Sequence, residues 1–208
     1  MIQSLFVAVD GPKGVGKTTL LEAVAQALRV EGHTVVRLSE RNHDPHRAAT
    51  MALVNALART PCAELEWQVC ERLADSRAWI SQHVLPKQPP GSLILMDRWY
   101  ASDAAFRHNV PFADVLRLNL ARGVSVPDLQ IGVTTAPHVS WARAAARRQG
   151  LRSTVVHSFE AHAACTAAFE RAMTEHGGWL CRNEGTLASA TSEVVTAIQR
   201  LLGEQRRG

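Results

Sequence analysis

The sequence predicts an α/β domain of three layers, in which a five-stranded parallel sheet lies between two layers of helices. Short apolar runs of strand length alternate along the chain with longer segments of helical period, which is typical of doubly wound sheets. The chain has 208 residues, 46% of them hydrophobic, and this suffices for one compact core. We therefore expect a single domain over residues 1–208.

The elements follow in chain order. The predicted strands are Leu5–Val9, Thr34–Leu38, Leu93–Met96, Leu129–Val133 and Trp179–Cys181. The predicted helices are Lys17–Val30, His46–Ala58, Ala63–Val84, Phe112–Ala121, His138–Arg147, Ser158–Glu175 and Leu187–Leu202. Pro86–Gly91 is rich in proline and glycine, but it is too short to link two domains.

Composition favours a small anionic ligand. The formal net charge is only +4 and the charged residues are spread along the chain, so we expect no nucleic-acid partner. The four cysteines form no Cys-x-x-Cys pair, which indicates reduced thiols in a cytoplasmic protein. The apolar run near the N-terminus is short and leads into a glycine-rich loop, so we expect neither a signal peptide nor a membrane span.

The segment Gly11–Thr18 matches the phosphate-loop pattern G-x-x-x-x-G-K-[ST], after a predicted strand and before a predicted helix. Its glycines allow backbone N–H groups to surround phosphate oxygens at the positive end of the helix dipole. We expect Lys17 to reach the β- and γ-phosphates of ATP and Thr18 to ligate Mg²⁺. The fold is then expected to be that of a P-loop NTPase. A glycine-rich turn that only caps a helix is the structural alternative.

An acid and an arginine follow the third predicted strand, at the edge where open α/β sheets bind ligands. Asp97 is a candidate for orienting the acceptor or for reaching Mg²⁺ through water, and Arg98 for holding a phosphate by a bidentate fork. A surface salt bridge at a strand end is the alternative.

Two segments carry a resemblance to thymidylate kinases. The run Asp97–Phe106 resembles their Asp-Arg-Tyr-x-x-Ser-x-x-Ala-Tyr segment, and Phe6–Thr19 resembles their first strand and phosphate loop. Less specific similarity extends over nearly the whole chain. The resemblance implies transfer of a phosphoryl group from ATP to a nucleoside monophosphate, usually by a homodimer. It also implies that Arg98 binds the acceptor phosphate, that Asp97 positions the transfer with Mg²⁺, and that Arg77 contacts the base; a solvated helix face is the alternative for Arg77.

The expected site residues form four groups. The catalytic group is Lys17, Asp97, Arg98, Arg148 and Arg152. The ATP-binding group is Gly11, Lys13, Gly14, Val15, Gly16, Lys17, Thr18, Thr19 and Arg147. The acceptor-binding group is Asp10, Leu73, Arg77, Arg98, Trp99, Ser102, Asp103 and Phe106. The metal ligands are Thr18 and Asp97.

Three departures from the family pattern concern the acceptor. Leu73 replaces the phenylalanine that usually stacks on thymine, and Lys13 replaces an acidic residue near the acceptor sugar. The run Ser39–Pro45 stands where an Arg-Glu-Pro-Gly-Gly segment is expected. We therefore expect thymidine monophosphate to be a poor acceptor compared with another or modified nucleotide.

An arginine-rich segment resembles the lid of these kinases, near residues 147–156. Arg148 and Arg152 are expected to close over the transferring phosphoryl group, and Arg147 to contact adenine. Cations that merely favour the end of a helix dipole are the alternative. A metal site at His43, Asp44 and His46 is a weaker hypothesis.

Two other functions remain open on the sequence. A deoxynucleoside-type kinase would phosphorylate a hydroxyl, with the acid and arginine as base and positioner. A non-catalytic regulator that only binds ATP would retain the loop without turnover. A guanine-specific GTPase is excluded, since no Asn-Lys-x-Asp motif is present among the three lysines.

Overall fold

A computed structural model of the chain describes residues 4–107, 109–146 and 156–205. Five parallel strands form one sheet in the order β2-β3-β1-β4-β5. The strands are β1 Leu5–Asp10, β2 Val35–Ser39, β3 Leu93–Asp97, β4 Leu129–Thr134 and β5 Trp179–Arg182. The helices are α1 Lys17–Val30, α2 Glu40–His43, α3 Arg47–Arg59, α4 Ala63–His83, α5 Phe112–Ala121, α6 Pro137–Ala145, α7 Phe159–Glu175 and α8 Leu187–Gln205.

The central strand β1 is buried along its whole length and pairs with β3 on one side and β4 on the other. A continuous apolar strand of this kind needs cover on both faces of the sheet, which parallel crossover connections provide. On one face, Leu20, Val24 and Leu28 of α1 pack with Ile198 of α8 in a single core. Their spacing of four residues places them on one side of α1.

The other face carries a second core. Phe6 and Met96 from the sheet pack there with Ile80 of α4 and Phe169 of α7. Together the two cores confirm the predicted class of a parallel sheet with helices on both faces. In the described part of the chain, no helix is both long and apolar enough to cross a membrane.

The predicted strands and the seven predicted helices are present, with ends that differ by a few residues. Three short elements were not predicted. Helix α2 has only four residues, too few for a helical period to be seen in the sequence. The 3₁₀ segment Tyr100–Ala105 is buried throughout, so its polar residues gave no surface pattern to recognise. A second 3₁₀ turn, Leu85–Lys87, overlaps the loop that was expected to be irregular.

Candidate active site

The phosphate loop connects β1 to α1 through backbone conformations that favour glycine. Gly14 and Gly16 have φ angles of 83° and 86°. A Cβ atom on Gly14 would lie 2.0 Å from the main-chain oxygen of Ser140, so a side chain there would collide with α6. No side chain of the described residues caps the N-terminus of α1. Its first N–H groups are therefore open to an anionic ligand.

Asn183, directly after β5, holds the loop from the other side. Its Nδ2 donates to the main-chain oxygen of Val15 at 2.8 Å, and the side chain is buried. A Cβ atom on Gly16 would lie 2.6 Å from the same nitrogen. Sequence reasoning missed Asn183. A polar residue at the carboxyl end of the last strand was the available signal, since that edge of the sheet carries the ligand.

Lys17 and Asp97 meet at the carboxyl edge of the sheet. The register between β1 and β3 places Val9 beside Asp97, and Nζ of Lys17 donates to Oδ1 of Asp97. Burial lowers the pKa of Lys17, the positive charge of Arg98 lowers it further, and Asp97 opposes both effects. Asp97 thus forms its ion pair with the loop lysine and not with Arg98. This arrangement differs from the surface salt bridge at the strand end that was the alternative interpretation of Asp97 and Arg98. Thr18 is exposed on the first turn of α1.

Arg98 adopts a strained backbone conformation that aims its side chain back at the loop. Its φ is 72°, the left-handed region that non-glycine residues seldom adopt. Nη1 donates to Oγ of Ser102 at 3.1 Å and to the main-chain oxygen of Gly11 at 3.3 Å. The guanidinium carbon lies 5.5 Å from the ring centre of Phe106. Ser102 and Phe106 therefore both position the guanidinium beside the phosphate loop.

Asp10 and Trp99, which are expected to bind the acceptor, are both buried and make their observed contacts within the protein. Oδ1 of Asp10 accepts hydrogen bonds from the backbone N–H groups of Trp99, at 2.8 Å, and Ser102, at 3.0 Å, and also from Oγ of Ser102. Trp99 is fully buried against Phe6, and its indole N–H donates to the main-chain oxygen of Ser125. Asp10 fixes the start of the 3₁₀ segment, and Trp99 anchors it in the core.

A cavity of about 340 Å³ opens beside Arg98. It brings together six of the residues predicted to bind the acceptor, namely Leu73, Arg77, Arg98, Ser102, Asp103 and Phe106. Lys13, which was assigned to ATP, also lines it. The lining further includes residues that were not predicted: Glu40, Arg41, Asp44, Arg47, Met51, Val54, Ser76 and Arg107. Most of these lie on α2 and α3, where the sequence lacks the family segment that would have identified them.

Arg77 lies inside the protein, at the floor of this cavity. Only 1% of its side chain is exposed, so the alternative of a solvated helix face is wrong. Nε donates to Oε1 of Glu40 and Nη1 to Oδ2 of Asp103, both at 2.7 Å. Burial lowers the pKa of Arg77, but the carboxylates of Asp103 and Glu40 together outweigh burial and hold this pKa above its usual value, so the guanidinium stays charged.

Three predicted residues, Arg147, Arg148 and Arg152, lie outside the described residues. Arg143 of α6 is described, and its Nη1 lies 4.0 Å from the position of a Cβ atom on Gly16. An arginine from this helix therefore does reach the phosphate loop.

The described residues contain no group of three or more His, Cys, Asp or Glu side chains that would hold a metal ion. The hypothesis of a metal site at His43, Asp44 and His46 is therefore wrong.

Comparison with known families distinguishes between the functions that the sequence left open, namely a monophosphate kinase, a hydroxyl-directed kinase and a non-catalytic regulator. The family model described as thymidylate kinase matches residues 9–198. The chain belongs to the thymidylate kinase family. Its similarity to individual members is modest: it is 31% identical to a thymidylate kinase of Geobacter sulfurreducens over 74% of each chain. It is 29% identical to one of Deinococcus radiodurans over 72% of this chain and 73% of the relative.

A thymidylate kinase of Halalkalibacterium halodurans is 28% identical over 69% of this chain and 70% of the relative. Membership in the thymidylate kinase family confirms an ATP-dependent kinase that acts on a nucleoside monophosphate. It confirms the P-loop fold and the prediction of ATP as donor. A hydroxyl-directed kinase and a non-catalytic regulator gain no support from the comparisons.

Proposed function

We propose that this thymidylate kinase family member transfers the γ-phosphoryl group of ATP, with Mg²⁺, to a nucleoside monophosphate seated in the cavity beside Arg98. The observation that carries the proposal is the position of Arg98. Its guanidinium stands between the main-chain oxygen of Gly11, in the phosphate loop, and Ser102, in the wall of the cavity. A phosphate held by this arginine would lie beside the phosphate loop and thus next to the donor.

The phosphate loop supplies the donor site. Backbone N–H groups from Gly14 to Thr18 surround the phosphates of ATP, and the N-terminus of α1 adds its dipole. Lys17 is already buried beside the loop and paired with Asp97. When phosphate oxygens enter, its ammonium neutralises the charge that develops during transfer, which is the main demand of this reaction.

Oxygen ligands for a divalent cation lie next to the loop. The hydroxyl of Thr18 and the carboxylate of Asp97 fit Mg²⁺, which prefers hard oxygen ligands and retains several waters. Bound Mg²⁺ would neutralise part of the charge on the phosphates. Asp97 would then serve Lys17 and the cation together, since its two oxygens allow both contacts.

The acceptor site is suited to an anion. Five basic side chains line the cavity besides Arg77, namely Lys13, Arg41, Arg47, Arg98 and Arg107. A nucleoside monophosphate brings a doubly charged phosphate that Arg98 binds through charge-assisted hydrogen bonds. A bare nucleoside offers no such partner. Arg148 and Arg152 are proposed to close over the transferring group from the segment after α6, with Arg147 at the adenine.

We also propose that the chain acts as a homodimer, as the family resemblance implies. Trp79 of α4 is 37% exposed and stacks on His83, so this helix presents a large aromatic surface to its surroundings. Tryptophan is enriched at the centre of protein interfaces. Sedimentation equilibrium of the parent and of Trp79→Ala measures this state: the parent should have twice the mass of the chain, and a monomeric parent would refute the dimer.

The deciding experiment compares Arg98→Ala with the parent on nucleoside monophosphates and on the matching nucleosides. The parent should use monophosphates, and the variant should lose about two to three orders of magnitude in kcat/KM on them. Arg117→Ala, at an exposed arginine of α5, is the matched control and should resemble the parent. Preference of the parent for nucleosides, or equal loss on both sets, would instead establish a hydroxyl-directed kinase.

A further inference from the structure

Helix α6 lies directly against the phosphate loop. A Cβ atom on Gly14 would be 2.0 Å from the main-chain oxygen of Ser140 and 3.2 Å from the side chain of Ala144, so the loop rests on one face of this helix. Arg143 of the same helix extends Nη1 to 4.0 Å from the position of a Cβ atom on Gly16. The position of α6 therefore determines where the loop can lie and where a positive charge stands beside it.

His162 of α7 is bonded to the same serine. Both residues are buried, and Nε2 of His162 lies 2.7 Å from Oγ of Ser140, whose main-chain oxygen contacts the loop. When Nε2 carries the proton, it donates to Oγ of Ser140, which in turn donates to the main-chain oxygen of Pro137 at 3.1 Å. A hydrogen bond between two helices in a buried position is costly to lose, because its polar groups are then left without partners.

The start of α7 holds His162 on a fixed base. Oγ of Ser158 accepts from the backbone N–H of Ala161 and so caps the helix one turn before His162. The ring of Trp141 on α6 lies 5.6 Å from the ring of His162 and 6.2 Å from that of Phe159. These aromatic contacts pack the joint between α6 and α7. His162 thus acts from a capped and packed element, which a side chain that positions another group requires.

We propose that His162 is a positioning residue of the ATP site, which acts through Ser140 to hold α6 against the phosphate loop. The proposal rests on the ATP-dependent transfer proposed above. A loop that surrounds phosphates with its backbone binds them best when its conformation is already set, because otherwise part of the binding free energy is lost in ordering it. Asn183 restrains the loop at Val15, whereas the joint between α6 and α7 restrains it at Gly14.

The contacts predict an effect on the donor and not on the acceptor. The path from His162 leads through Ser140 to the phosphate loop. Arg98, which faces the acceptor cavity, takes its position from Ser102 and Phe106, on the segment that follows β3. Loss of the hydrogen bond should therefore weaken ATP binding and leave the KM of the monophosphate near that of the parent. A merely structural role would lower stability without this division.

Two variants remove the hydrogen bond from opposite sides. His162→Leu replaces the ring by an apolar side chain, and Ser140→Ala removes the hydroxyl from α6. Calorimetric titration with ATP should show an affinity about three- to tenfold lower in each, the effect of one net hydrogen bond. His162→Gln keeps a side-chain amide within reach of Oγ of Ser140 and should recover most of the affinity. The double variant should bind ATP no more weakly than the weaker single variant, since both substitutions remove the same interaction.

Phe169→Leu is the matched control, because Phe169 is fully buried two turns further along α7 and packs with Phe6 and Met96 of the sheet. It should lower Tm and leave the affinity for ATP unchanged. Steady-state kinetics at saturating ATP, with the best of the common deoxynucleoside monophosphates as acceptor, supply the second measurement. Ser140→Ala should keep the KM of this acceptor within about twofold of the parent.

Equal affinities for ATP in the parent, Ser140→Ala and His162→Leu overturn the role of His162. An equal loss in Phe169→Leu does so too, because it would trace the effect to general loosening of α7. If His162→Leu fails to fold, Ser140→Ala and His162→Gln decide the question. A parent that phosphorylates none of the monophosphates overturns the proposed function, and the titrations with ATP still decide the role of His162.

Discussion

Nδ2 of Asn183 donates a hydrogen bond of 2.8 Å to the main-chain oxygen of Val15, 168 positions earlier in the chain. The residue that follows the last strand therefore fixes the loop that follows the first. Both lie at the carboxyl edge of the sheet, where parallel strands bring their following loops together. The conformation of the phosphate loop thus depends on the closure of the whole sheet and not on its glycines alone.

Asn183→Ala should loosen the phosphate loop. The carbonyl of Val15 would lose its partner in a buried position, which costs about 1–3 kcal/mol of stability. ATP binding should weaken about three- to tenfold, because the loop must be ordered again when the nucleotide binds. Thermal unfolding and calorimetric titration with ATP measure the two effects. Asn55→Ala, at an exposed position of α3, is the control; equal results for both variants would contradict the role of Asn183.

Lys17→Ala should fold normally and lose turnover by a factor on the order of 10³ or more, since the charge on the transferring phosphates would be uncompensated. The variant also leaves Asp97 without its ion-pair partner. Lys87→Ala removes an exposed lysine far from the loop and should keep the activity of the parent. Steady-state ATP turnover is the measurement. A Lys17→Ala enzyme within tenfold of the parent would refute the assignment of the loop.

The sequence predicts the layers, the strands and the phosphate loop because each depends on local patterns, such as apolar runs and fixed glycine spacing. It does not predict Asn183 or Glu40, whose roles arise from contacts with residues far away in the chain. For Trp99 the sequence suggests a position in the site, whereas the side chain lies in the core. Its neighbours in sequence belong to the site, but an extended residue can turn its side chain into the core, as this one does.

The lid hypothesis predicts a kinetic effect at two arginines outside the described residues. Replacing Arg148 and Arg152 together by alanine should lower kcat more than it weakens ATP binding, because lid arginines act mainly in the closed state. Single-turnover rates and ATP titrations separate the two quantities. Arg59→Ala, at the exposed end of α3, controls for loss of surface charge. An unchanged kcat would contradict the lid hypothesis and favour the alternative that both arginines are solvated cations at the end of a helix.

Acid should destabilise the fold through His162. This histidine is buried, with Nε2 2.7 Å from Oγ of Ser140 and the ring of Trp141 beside it. Burial lowers its pKa below the ordinary 6.5. Its contribution to stability is complete above pH 6.5 and is lost as the pH falls from there through the folded-state pKa, because the unfolded chain takes up the proton first.

His162→Gln should therefore make the unfolding free energy less dependent on pH just below 6.5. Denaturant unfolding of the parent and the variant at a series of pH values measures the difference. His138→Gln, at an exposed histidine of α6, is the control and should behave as the parent does. If His162→Gln retains it as well, other groups cause the loss of stability in acid.

Removing the charge of Arg77 should strongly destabilise the fold. Arg77→Met would leave the buried carboxylates of Glu40 and Asp103 facing each other without the guanidinium between them. Breaking a buried ion pair from one side costs about 3–5 kcal/mol, because the partner charge stays buried and unpaired. Asp103 keeps an ion pair with Arg107 at 3.5 Å, whereas Glu40 would be left unpaired, so combining Arg77→Met with Glu40→Gln should recover part of that loss. Chemical unfolding of the parent, the single variant and the double variant gives the three free energies; a double variant no more stable than Arg77→Met would show that the lost packing of the arginine stem, and not the unpaired charge, is the main cost.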